Sequence, residues 1–213
     1  MSDSLRVRDT STLHVVAALI IVCTSIEAVL LLSDLGVLAA PRLRSTVNEN
    51  AGFWPGLLRD WRPNYLFQQW LMFLTYGFLH AGPVHLALNM LTLYTLGSAI
   101  GERVGGARFA LLYVASILGG AAGFALLTDS YRPMVGASGA LFGLAGALLA
   151  WDFRDRVTLE EQLWPVVRAV LMLAALNVAL YYAMGGLLAW ETHLGGFVAG
   201  WLTAMMIGQR PLE

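Results

Sequence analysis

Ser138 and His193 are the pair in this 213-residue chain whose types and setting could support covalent chemistry. Ser138 lies in Gly136-Ala137-Ser138-Gly139-Ala140-Leu141-Phe142-Gly143, at the front edge of an apolar, glycine-rich stretch over 134–151. A hydroxyl is a poor nucleophile until a base takes its proton, and His193 is the sole histidine in the back half of the chain. Read alone, a serine at a helix start also serves as a cap; the histidine is what supplies a chemical reading. Gly139, Gly143 and Gly146 recur about once a turn and leave one side of the serine's helix nearly bare. His193, Gly196 and Gly200 follow at i, i+3 and i+7 and share a face of a second helix. Two such faces let helix backbones approach closely inside lipid, near enough for nucleophile and base to meet.

Acyl transfer also needs donors for a developing oxyanion. The N–H of Ser138 falls at a predicted helix N-terminus, where the dipole favours negative charge. His85 and Asn89, at i and i+4, share a face of another helix. A polar pair inside lipid needs partners, either as a structural clamp between helices or as groups beside a reaction. Other chemistries find less support. No H-E-x-x-H occurs, and His80 and His85 stand five apart across a Gly82-Pro83 break, so no metal site is expected. No Gly-x-Gly-Asp stretch supports an aspartyl site, and Glu160-Glu161 is followed by arginine only at Arg168. Nothing beyond the histidines supports a haem, and no organic cofactor is expected. The net charge of -1 says nothing about partners, but the absence of a basic tract or RNA-binding signature argues against nucleic acid. Cys23, the single cysteine, lies in an apolar run and reads as a packing residue.

The elements that must position these residues are membrane spans. The chain is 58% hydrophobic and 13% charged, with a mean hydropathy of +0.66; a soluble domain carries about 25% charged residues. Apolar runs of about 20 residues are long enough to cross a bilayer. They predict an all-α polytopic membrane protein with six transmembrane helices, over 13–38, 84–100, 109–127, 134–151, 166–184 and 187–207. The first run is longer than a signal-peptide core, although a weak Leu38-Ala39-Ala40 sequence follows it. Glu27 lies in its middle, with no basic residue in the same segment, and reads as a protonated or hydrogen-bonded carboxyl facing other helices. Residues 1–12 and 209–213 read as short tails around a single domain over 13–208. Within it, 39–83 forms a long, partly interfacial connection, with Trp54 and Trp61 expected at headgroup level. With the termini inside, eight arginines (6, 8, 103, 108, 154, 156, 168, 210) fall on cytoplasmic segments and five (42, 44, 59, 62, 132) outside, which favours that orientation. Ser138 and His193 then lie at the same, outer depth. The short chain, with no targeting extension, suggests a bacterial inner membrane, with an organelle as the alternative.

Four blocks in order carry a resemblance. Leu79-His80-Ala81-Gly82-Pro83-Val84-His85-Leu86-Ala87-Leu88-Asn89-Met90, then Gly101-Glu102-Arg103, Gly136-Ala137-Ser138-Gly139, and His193-x-x-Gly196-x-x-x-Gly200 resemble the rhomboid intramembrane serine proteases over about 65–208. The resemblance implies a rhomboid-like bundle and a Ser–His dyad, with Ser138 as nucleophile and His193 as general base. It implies oxyanion or active-site support from His85, Asn89, Gly136 and Gly139, and a structural role for Glu102-Arg103. Phe142 stands where the family often has tyrosine; it can stack on His193 but brings no hydroxyl. Glu191, two residues before His193, lies on the wrong helical face to orient it. His80, with His85 and Asn89, would line a polar path for water, and Gly143, Gly196 and Gly200 would serve helix packing. The implied substrates are single-span or polytopic membrane proteins in the lipid bilayer. The rival readings are a catalytically inactive rhomboid-like protein that binds membrane clients, and a small transporter, for which the chain lacks an internal repeat.

Overall fold

Glycine and proline punctuate the apolar runs, and the helices fall between them. The computed structural model describes residues 10–208. Among these residues the chain is all-helical, in the order α1 (Ser11–Asp34), α2 (Leu43–Ala51), α3 (Gln68–Thr75), α4 (Pro83–Val104), α5 (Gly106–Leu127), α6 (Ser138–Thr158), α7 (Trp164–Ala183) and α8 (Trp190–Met206). Proline occupies the first turn of α4 and of α7, where its missing N–H would have no helical acceptor anyway. Gly105, at φ +76°, alone joins α4 to α5.

The long helices coincide with the six apolar runs. Four of them, α1, α4, α5 and α7, are long and apolar enough to cross a membrane. The outer faces of such helices need lipid: in α7 only Val166 is buried, while Leu171, Met172, Leu176 and Val178 are exposed. The chain is an integral membrane protein. The remaining pair is different in kind. α8 has only 17 residues, and α6 carries Asp152, Arg154, Asp155 and Arg156 near its end. They sit in the middle of the bundle, where glycines replace apolar bulk. α8 is wedged between α5 and α6: Gly119 and Gly123 of α5 face Ala199 and Gly195, while Gly139 and Gly143 of α6 face Gly196 and Gly200. A Cβ at Gly123 would stand 2.8 Å from the Gly195 Cα. At the other end of the seam the buried Trp151 indole N–H donates to the Ala204 carbonyl at 2.9 Å.

Three features depart from the sequence expectations. Residues 11 and 12, expected in a tail, belong to α1. The Ser11 hydroxyl accepts the Gly106 N–H at 2.7 Å, and Thr12 is buried over Gly101. The rest of that tail, 1–9, and the tail at 209–213 lie outside the described residues.

The connection over 39–83 holds α2 and α3, and its aromatic piece lies partly inside the protein. Phe53, Pro55 and Gly56 are buried. Phe53 pairs with Met134 in an antiparallel bridge, its N–H donating at 3.0 Å and its carbonyl accepting at 2.9 Å. Its ring packs edge-on against Phe73, Tyr76 and Phe124. Trp54 and Trp61 pack on each other with centroids 5.6 Å apart, and Trp61 stacks on Tyr131. The connection is therefore a bracket on the segment that leads into α6.

Glu27, finally, has a basic partner from outside its own helix. Arg44 of α2 grips both carboxylate oxygens, at 2.9 and 3.0 Å, and its Nε donates to Asp34 at 2.6 Å. Its Nη1 also reaches the His80 carbonyl at 3.2 Å, so one guanidinium ties α1, α2 and the approach to α4 together. The Glu27 bond, first among several causes, raises the Arg44 pKa above its ordinary value and holds it charged.

Candidate active site

Ser138 is the first residue of α6, and the chain is brought to it under tight constraint. The Phe53–Met134 bridge fixes the segment four residues upstream. Gly136 then donates its N–H to the Tyr76 carbonyl at 3.0 Å, and the Tyr76 hydroxyl donates to the Ile117 carbonyl at 2.8 Å. Gly136 has φ +132°, which disfavours any L side chain, and a Cβ there would stand 2.8 Å from His85 Cε1. Glycine thus lets the backbone turn into α6 while His85 lies directly against it. Ser138 itself is half-buried, and its N–H belongs to the helix start that lacks intrahelical acceptors.

His193 enters from the first turn of α8 and is buried. Gly196, one turn later, seats on Gly139, the neighbour of Ser138. That contact puts His193 Nε2 at 2.8 Å from Ser138 Oγ. The other ring nitrogen, Nδ1, lies 2.7 Å from Oδ1 of Asn177 in α7. The Phe142 ring covers the imidazole face, with centroids 4.2 Å apart and planes only 5° from parallel. The imidazole is thereby held at both edges and on one face.

The second polar group has a different geometry. The Asn89 amide donates to the His85 carbonyl of its own helix at 2.9 Å. His85 Nδ1 accepts the Ala81 N–H at 3.3 Å, and its ring meets His80 edge-on at 5.3 Å. His80 is fully buried; desolvation first, and His85 second, push its imidazole down to about 4, so it is neutral at pH 7. His85 is therefore brought to the serine segment through Gly136, while Asn89 and His80 stand behind it. Gly139, Gly143, Gly196 and Gly200 lie together on the α6–α8 seam.

A serine hydroxyl at a helix start thus faces a buried imidazole across a glycine seam. The rhomboid domain family matches residues 67–210. The chain belongs to the rhomboid family. RHOMBOID-like protein 5 of Arabidopsis thaliana is 36% identical over 135 residues, covering 62% of this chain and 42% of that protein. Rhomboid protease GluP of Bacillus subtilis is 33% identical over 141 residues, 66% of this chain and 26% of that one. The putative rhomboid protease YdcA of the same organism is 29% identical over 143 residues, covering 67% and 69%. The first relatives are thus matched over less than half of their own length, and the family match over 67–210 spans both Ser138 and His193 of this rhomboid.

One residue of this rhomboid's site escaped the sequence reading: Asn177. Its signal is present in retrospect. Within the apolar run over 169–183 it is the only amide or charged side chain, and a lone polar group in lipid requires a partner. The spacing of 16 residues to His193 across a turn gives no periodicity that would name that partner.

Proposed function

We propose that this rhomboid is an intramembrane serine endopeptidase that cleaves transmembrane segments of other membrane proteins, single-span or polytopic, with Ser138 as nucleophile and His193 as general base. The observation that carries the reading is the 2.8 Å contact between Ser138 Oγ and His193 Nε2 at the head of a glycine-packed helix pair. Nε2 takes the serine proton as Oγ attacks the scissile carbonyl carbon. The resulting oxyanion is met by the N–H groups at the start of α6, the Gly139 N–H among them, with His85 alongside. His193 then returns the proton to the leaving amine, and water, activated by the same imidazole, hydrolyses the acyl-enzyme. Phe142, stacked on the imidazole, restrains its rotation. His80 and Asn89 hold His85 in place and line the path for water. No metal or organic cofactor enters any step.

The domain over 13–208 acts as one six-helix membrane unit with its termini in the cytoplasm and Ser138 towards the outer face, as the arginine distribution favours. A bacterial inner membrane is one setting for it; similarity to both plant and bacterial relatives leaves that choice to fractionation of the source cells. The test is cleavage of a reporter single-span protein in vesicles, together with labelling by a fluorophosphonate. Ser138→Ala should abolish both, and His193→Ala should abolish labelling. Undiminished cleavage by Ser138→Ala would sink the mechanism, and a parent chain that neither cleaves nor labels would leave a client-binding role as the surviving reading.

A further inference from the structure

We propose that Asn177 is a positioning residue for His193, making the site a Ser–His–Asn relay in which α7 supplies the third member. The inference rests on the serine-protease reading above and adds to it a group from a helix that otherwise faces lipid. Asn177 Oδ1 lies 2.7 Å from His193 Nδ1, on the side of the ring opposite Ser138. An amide oxygen only accepts, so Nδ1 carries the proton and Nε2 presents its lone pair to the serine O–H. That is the tautomer a general base requires; the opposite one would aim an N–H at Oγ and block proton transfer. The bond also strengthens during the reaction. Once Nε2 is protonated, Nδ1–H becomes a charge-assisted donor, so the amide stabilises the transition state more than the resting enzyme. The same division of labour occurs in Cys–His–Asn proteases, where an amide suffices as orienter.

The setting excludes a merely structural explanation on two counts. α7 buries almost none of its side chains, so a polar bond is not needed to seal a core there. Glu191, the acid nearest to His193 in sequence, leaves Nδ1 to the amide. Asn177 also borders an open cleft of about 220 Å³ with Tyr181 and Trp190, so its side chain can be replaced without leaving an enclosed void.

The experiment uses the full chain in proteoliposomes with a fluorogenic single-span reporter. Asn177→Leu should lower kcat about tenfold to a hundredfold, the cost of one charge-assisted hydrogen bond at the transition state. KM should stay within about twofold and the thermal midpoint should be unchanged. Asn177→Asp, which keeps an acceptor, should return kcat to within about threefold of the parent near neutral pH. Histidine ¹⁵N spectra of the parent should show His193 protonated at Nδ1. Wild-type kcat in Asn177→Leu, while Ser138→Ala is dead, would overturn the role of Asn177 and leave the Ser–His reading standing. Activity in Ser138→Ala would overturn the reading beneath it. Should Asn177→Leu fail to assemble, a spectrum of the parent with the proton on Nε2 would refute the proposal by itself.

Discussion

A single methyl group at Gly196 should separate the two halves of the site. A Cβ built there overlaps the Gly139 carbonyl oxygen and stands 2.7 Å from the carbonyl carbon. Carbon atoms in contact need about 3.5 Å, so the α6 and α8 backbones must part by at least about 0.8 Å (3.5 less 2.7), the nearer carbonyl oxygen asking for more. Neither backbone can move away freely, because Gly136, just before α6, is tied to the Tyr76 carbonyl and α8 is backed by α5 through Gly195 and Gly123. Gly139 adjoins Ser138, and Gly196 is one turn from His193, so the displacement passes almost undiminished to the Ser138–His193 pair. Oγ to Nε2 then widens from 2.8 Å to about 3.6 Å or more, beyond the range of a hydrogen bond. A misplacement of that size costs about a hundredfold in rate, and overpacking costs about 1–3 kcal/mol in stability. The assay is the second-order rate of fluorophosphonate labelling, measured beside thermal unfolding in mild detergent. Gly200→Ala meets the Gly143 carbonyl one turn deeper, so it should lose comparable stability and less labelling. Gly77→Ala, whose Cβ would meet the movable tip of Ile117 at 3.0 Å, is the control. A Gly196→Ala protein that labels at the parental rate would refute the claim that the glycine seam sets the reacting distance.

Three further outcomes follow from the same geometry. Arg44→Ala strands the Glu27 carboxylate, only 2% exposed, without its two-pronged partner. That should cost about 3–5 kcal/mol, with the double change Glu27→Leu/Arg44→Leu recovering most of it; equal unfolding midpoints for single and double variants would count against a buried ion pair. Phe142→Ala removes the ring stacked on His193 and should lower kcat about threefold to tenfold, from an aromatic pairing of about 0.5–1.5 kcal/mol, while Phe142→Tyr stays near the parent. His80 stays neutral in the fold down to about 4, against 6.5 when unfolded, so the unfolded chain binds more protons between those values. Stability should therefore fall as pH drops from 6.5 towards 4, by about 3 kcal/mol, and the fall should be shallower in His80→Leu when unfolding is followed across that range.

The parts of this rhomboid legible in its sequence are those that local pattern encodes. Long apolar runs locate the helices because lipid rewards uninterrupted apolar length. The glycines at 139, 143, 196 and 200 announce a close seam because nothing else lets two backbones touch. The 39–83 connection was less legible. Phe53 looks like an interfacial aromatic until Met134, 81 residues away, offers the two backbone groups that draw it inside. Glu27 likewise looked partnerless because its arginine comes from beyond the end of its own helix.

Sequence by itself determined the medium, the number and place of the long helices, the family, and the serine and histidine that face each other. Only the tertiary structure decided what holds them. Asn177 on His193, Arg44 on Glu27 and His85 on Gly136 are pairings between separate elements. Each depends on how one helix or loop is rotated and seated against another. Spacing along a chain fixes which residues share a face; it leaves open which other face that one will meet.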